Sequence, residues 1–97
     1  MLQWTDETLV MRVKKVNLQE VTALCLSVVQ DGEAKIERDD VTVIDEHRCG
    51  VTLTQTETGG LNAGPAFLYL NWVGPDGRKG GREKQISVER NFPRREL

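Results

Sequence analysis

Apolar side chains return at every second position through most of this chain. Leu9, Met11 and Val13 share one face of Thr8–Val13, the two-residue period of a strand that buries one side. The same period runs through Thr22–Gln30, where Leu24, Leu26 and Val28 lie together and Cys25 points the other way. It returns in Ala66–Val73, the most hydrophobic stretch and therefore expected at the centre of a sheet, with Ala66, Leu68, Leu70 and Trp72 lining the core. Shorter extended segments are predicted at Ala34–Arg38 around Ile36, at Val41–Ile44, and in a strand ending Cys49-Gly50-Val51-Thr52-Leu53. A final strand, Arg82–Arg90, turns Ile86 and Val88 inward. No stretch keeps a helical period over three turns. Leu18–Val29 comes nearest, and its β-branched content and two-residue faces favour a strand. Seven short strands at this spacing predict an all-β antiparallel sandwich.

Turn residues punctuate the pattern. Asp31-Gly32 is the strongest hairpin signal, because both central positions of a type I′ turn need positive φ. Gly74-Pro75-Asp76-Gly77 reads as a turn, with Gly80-Gly81 expected to loosen the loop beyond it. A polar link holding Val16, Leu18 and Val21 joins the first two strands. Thr54 and Glu57 have the spacing of a capping box, in which the Thr side chain accepts from a backbone N–H and the Glu reaches back. The turn they open is cut short at Gly59-Gly60, Leu61 follows as an apolar plug, and a new strand departs after Gly64-Pro65. Strand, one capped helical turn, plug, strand: residues 54–64 are predicted to carry the chain from one sheet to the other.

Ninety-seven residues make one domain, over 1–97, with a core at about 8–90 and a polar tail at 91–97. Hydrophobic residues are 38%, and no apolar run approaches the roughly 20 residues of a membrane helix, so no membrane association is expected. The N-terminus lacks a basic segment followed by an apolar one, which predicts a cytosolic start. Residues 1–72 carry 6 Lys/Arg against 11 Asp/Glu, and residues 73–97 carry 7 against 4, so the net charge of −2 hides an acidic body and a basic end. Glu83, Glu89 and Glu96 interrupt that end and no strand of aromatics accompanies it, so nucleic acid is not the expected partner. Cys25 and Cys49 fall on opposite faces of their strands by parity, which predicts two free thiols rather than a disulfide.

Chemistry is sparse. His47, the only histidine, sits in Asp45-Glu46-His47-Arg48 without companions at zinc-ligand spacing, and reads as a solvent-facing turn residue. Asp39, Asp40, Asp45 and Glu46 lack the alternation of a calcium loop and read as turn and edge charges. Ser27 and Ser87 lie inside alternating strands rather than on strained turns, and neither glycine pair opens a phosphate-binding helix. No catalytic residue, cofactor or metal is predicted, and the chain is not expected to be an enzyme.

The remaining signal is a face. With Leu68 and Leu70 inside, Phe67, Tyr69 and Asn71 point outward on the same strand. Neighbouring outward aromatics mark either an interface or a patch covered by another segment, for which the Trp4 arm is the candidate. Tyr69 and Asn71 could equally begin a sugar site, although aromatics are only 5% of the chain.

The run Val51-Thr52-Leu53-Thr54-Gln55-Thr56-Glu57-Thr58, followed by Leu61, Gly64, Leu68, Leu70 and Asp76-Gly77, resembles a family of small proteins from phages and prophages of Gram-positive bacteria. It is similar to the immunoglobulin-like domain at the start of phage upper baseplate proteins. Val28-Val29-Gln30-Asp31-Gly32 resembles that family's strand before its first hairpin, and the likeness covers roughly residues 9–90. Thr56 departs from it, since the family usually has an acid there, and so does the basic tail. The resemblance implies an immunoglobulin-like sandwich of about seven strands with one helical turn at the crossover. It implies a non-enzymatic tail or baseplate component or adaptor, or an accessory protein encoded beside such genes, found in the bacterial cytoplasm during assembly or in the virion tail. Its partners would be tail or baseplate proteins or further copies of itself, with Phe67, Tyr69 and Asn71 as the contact residues. The alternative is a carbohydrate- or other ligand-binding sandwich.

Overall fold

The computed structural model describes residues 1–97. The alternating segments form β1 (Glu7–Arg12), β2 (Ala23–Gln30), β3 (Glu33–Arg38), β4 (Thr42–Val43), β5 (Arg48–Leu53), β6 (Gly64–Val73) and β7 (Lys79–Val88), with α1 (Gln55–Gly59) between β5 and β6. They make two antiparallel sheets, β1-β5-β4 and β3-β2-β6-β7, so the expected seven-stranded sandwich is what the chain forms. Its order departs from the immunoglobulin constant-type arrangement in one respect. There the second strand lies beside the first and fifth, whereas β2 here lies between β3 and β6.

Both sheets turn their alternate side chains to a shared core. Met11, Cys49, Val51 and Leu53 come from the smaller sheet, and Leu26, Val28, Ile36, Ala66, Leu68, Leu70 and Val88 from the larger. Val13, Leu18 and Leu61 close the core from the connections. Fully buried leucines such as Leu26, Leu53 and Leu70 each carry about 2–5 kcal/mol by truncation to Ala.

The crossover is built as its residues predict. Thr54 Oγ1 accepts from Glu57 N at 3.2 Å, and Glu57 Oε1 accepts from Thr54 N at 3.0 Å. Leu61 is buried at the end of the turn. Asp31 and Gly32 take φ of 53° and 75°, as a type I′ hairpin requires.

Two local expectations fail. Gly80 and Gly81 are not loop residues: β7 begins at Lys79, and these glycines pair with Trp72 and Asn71 across the β6–β7 ladder. A Cβ at Gly80 would lie 2.5 Å from the Trp72 indole, and one at Gly81 would lie 2.8 Å from the Asn71 side-chain oxygen. Glycine leaves room for the two large side chains opposite. Trp72 itself lines the core only from the rim. β1 and β5 are six residues long and β4 is two, against ten in β6 and β7, so the smaller sheet leaves the Leu24–Trp72–Gly80 row half-buried.

The N-terminus is a structural strap. Leu2 pairs in parallel with Glu89, and the buried Gln3 donates from Nε2 to Leu61 O at 2.6 Å. Thr5 N donates to Thr58 Oγ1 at 3.2 Å, and Thr58 Oγ1 donates back to Thr5 O at 2.8 Å. The tail ends against α1, where Leu97 N donates to Gln55 Oε1 at 2.8 Å.

Candidate interaction face

The outer face of the larger sheet collects the side chains that alternation sends away from the core. Ala66, Leu68 and Leu70 are at most 2% exposed, so Phe67, Tyr69 and Asn71 occupy the opposite side of β6. Register places Val29 and Gln85 beside Phe67, Ser27 and Glu83 beside Tyr69, and Cys25 and Gly81 beside Asn71. The three residues singled out in the sequence therefore stand in one row down the middle of one face. Asn71 is exposed, while Phe67 and Tyr69 are half-buried by these neighbours in their own sheet. The chain has no third layer over them. Trp4 does not cover them either: its indole lies on Gly59, where a Cβ would overlap the ring.

Electrostatics tune this row. Glu83 stands opposite Tyr69 in the ladder, and its carboxylate, together with desolvation of the phenol, favours the protonated Tyr69 and raises it above the usual tyrosine range. Cys25 Sγ lies 4.0 Å from Ser27 Oγ on the same face, whereas Cys49 is buried in the other sheet. Both thiols are free, as parity predicts, and burial pushes the Cys49 thiol up.

His47 is more constrained than a solvent-facing turn residue. Its Nδ1 stands 3.0 Å from Val13 O and 3.1 Å from Val16 O. Both partners are acceptors, so Nδ1 carries the proton and donates. The imidazole thereby pins the 13–16 link to the β4–β5 turn. In that turn Asp45 Oδ1 accepts from His47 N at 2.9 Å and Oδ2 from Arg48 Nε at 2.7 Å, and these contacts lower its carboxyl pKa, the His47 amide most. No three His, Cys, Asp or Glu side chains come together in a way that could hold an ion.

Sequence reasoning missed one concavity. Where the smaller sheet stops short, Leu24, Trp72 and Gly80 floor a groove of about 410 Å³ with Asp39 and Lys79 at its edge. It continues through Ala23, Leu24 and Asp39 into an open groove of about 620 Å³ beside Val21, Val41 and Val43. The turn residues alone point elsewhere: counting outward from Gly74-Pro75-Asp76-Gly77 sets Gly80 opposite Asn71, and it is Arg78, closing the turn through Gly74 N to Arg78 O at 2.8 Å, that brings Gly80 opposite Trp72.

No helix is long and apolar enough to cross a membrane. No protein-family model, curated protein or solved structure matches this chain.

Proposed function

We propose that this is a non-enzymatic structural or adaptor domain, of the phage tail or baseplate type, that works through protein–protein contacts on the outer face of its larger sheet. The observation that carries the reading is the row Phe67, Tyr69 and Asn71, central in a four-stranded face with no third layer of its own chain above it. Aromatics contribute disproportionately to interface energy because they desolvate a large area at low rotamer cost. The likeness of residues 51–77 to small phage and prophage proteins supplies the partner class, tail or baseplate proteins or further copies of the chain. It also supplies the location, the bacterial cytoplasm during assembly or the virion tail.

The test is the double substitution Phe67→Ser with Tyr69→Ser. Core burial is untouched, so the variant should fold, while self-association by light scattering and capture of purified tail proteins should be lost. A folded variant that keeps every partner removes the face from the reading. A second reading, a carbohydrate-binding module, is favoured by the Trp72 groove with Asp39 and Lys79 at its edge. Titrating oligosaccharides against tryptophan fluorescence separates the two.

A further inference from the structure

Strand β7 is an edge. It pairs with β6 from Lys79 to Val88 and carries no strand on its other side. Alternate backbone amides and carbonyls of an edge strand point away from the sheet and can accept an added chain. At the C-terminal end of β7 this already happens. Met1 N donates to Ser87 O at 2.8 Å, Glu89 N to Met1 O at 2.7 Å, and Gln3 N to Glu89 O at 3.0 Å. From Lys79 to Ile86 the outer edge makes no backbone bond.

The side chains beside this open stretch are cationic. Arg82 and Lys84 pair with the buried Leu70 and Leu68, so they share the face turned towards the smaller sheet. There Met11 and Arg12 of β1 approach, and with Glu83 they line a cleft of about 260 Å³ between the edges of the two sheets. Arg12, Arg82 and Lys84 form no ion pair, although Arg12 also borders the Asp45-Glu46 turn. Glu83 alternates to the other face, where it stands opposite Tyr69. Lys79, Lys14 and Lys15 are also exposed and unpaired.

Charged edges keep like edges apart. A twofold antiparallel pairing of two β7 strands centred on Arg82, Glu83 or Lys84 sets that residue against its own copy, which argues against a second copy as the occupant. We propose that the open edge of β7 receives an acidic extended segment of another protein, added as an outer strand along Lys79–Ile86. Arg82 and Lys84 lie two residues apart on one face, about 7 Å along the strand, so the matching segment has acids at alternate positions. Its intervening residues fall on the Glu83 side and must not be acidic. Main-chain bonds supply affinity in such additions and alternate side chains supply selectivity. This edge is distinct from the Phe67–Tyr69 face, so either proposal can fail without the other.

The test uses the full chain, isotope-labelled, and a capped Thr-Glu-Thr-Glu-Thr-Glu-Thr peptide. Amide shifts confined to residues 79–86, slowed hydrogen exchange there, and binding that weakens with salt are expected. A peptide with Lys for Glu should not bind. Arg82→Ser with Lys84→Ser should weaken binding about tenfold or more, with the melting temperature held as the check on folding. Proline in place of the third and fifth residues, both Thr, keeps the charges but interrupts the ladder, and should also weaken binding about tenfold. Equal binding of the proline peptide, or displacement by a short single-stranded DNA, would show a plain anion-binding surface and overturn strand addition. Absence of shifts at 79–86 overturns the proposal outright.

Discussion

Arg38 of β3 donates from Nη1 to Glu57 Oε1 at 2.7 Å, and the same oxygen caps α1 by accepting from Thr54 N at 3.0 Å. One carboxylate therefore closes the helical turn that leaves the smaller sheet and ties that turn to the larger one. Arg38 is held for the task, because its Nε and Nη2 grip the Asp40 carboxylate at 2.7 and 2.6 Å.

Glu57→Ala removes the cap and the tie together and should cost about 1–2 kcal/mol by chemical denaturation. Glu57→Gln keeps an acceptor for Thr54 N and should cost about half as much. The Arg38 and Glu57 side chains are 23% and 25% exposed, so a double-mutant cycle should give a coupling of no more than about 1 kcal/mol. If Gln costs as much as Ala, the ion pair and not the cap carries the effect.

Gly80 supports a different kind of prediction. Replacing a strand glycine with alanine usually stabilises by about 0.5–1 kcal/mol, through the unfolded chain. Here the new methyl meets the Trp72 ring, so Gly80→Ala should instead destabilise by about 1–3 kcal/mol. Combining it with Trp72→Ala should recover part of that loss. A stabilised Gly80→Ala protein would mean that the indole leaves β7 readily and that the groove beside it is open.

Trp72 and Gly80 also show where sequence reading stopped. Alternation sufficed for the seven strands, the core leucines within them and the outward row of Phe67, Tyr69 and Asn71, because each depends on a two-residue period within one segment. The Thr54–Glu57 cap was legible for the same reason, since both partners lie within one turn. Features that join distant segments were not. Whether β2 pairs with β5 or β6, whether Trp4 covers Phe67 or Gly59, and what the His47 ring bonds to all depend on sheet order and loop paths. Glycine misled most directly. Gly80-Gly81 suggests a loose loop in isolation, and only the size of the side chains opposite explains it within a strand.

Tyr69 is the only tyrosine, so tyrosinate absorbance follows this residue alone. Glu83 raises its folded pKa, which means the folded state holds the proton more tightly. The resulting stabilisation is complete below the unfolded tyrosine pKa of about 10 and is lost as pH rises through the higher folded value. The titration midpoint should lie above that of the unfolded chain, and Glu83→Gln should lower it. A midpoint unmoved by Glu83→Gln would show that the phenol does not contact this carboxylate, and so is not tethered to β7.

The two ends of the chain should respond oppositely to truncation. Residues 91–97 hold Phe92, which is 72% exposed, and reach the body through exposed bonds between Gln55 and Leu97. Stopping after Arg90 should change stability by less than about 0.5 kcal/mol. The first four residues bury Gln3, lay the Trp4 indole on Gly59 and bond to Ser87 and Glu89. Gln3 Oε1 and Trp4 Nε1 find no partner within the chain, which reduces but does not cancel that gain. Removing Met1–Trp4 should therefore cost roughly 2–4 kcal/mol, the scale of losing one large packed side chain with its hydrogen bonds. The same deletion frees the last backbone groups of the β7 edge, so the acidic peptide's amide shifts should then extend from Ile86 towards Glu89. A loss below about 0.5 kcal/mol on removing Met1–Trp4 would show that the arm is dispensable and that the crossover needs no strap.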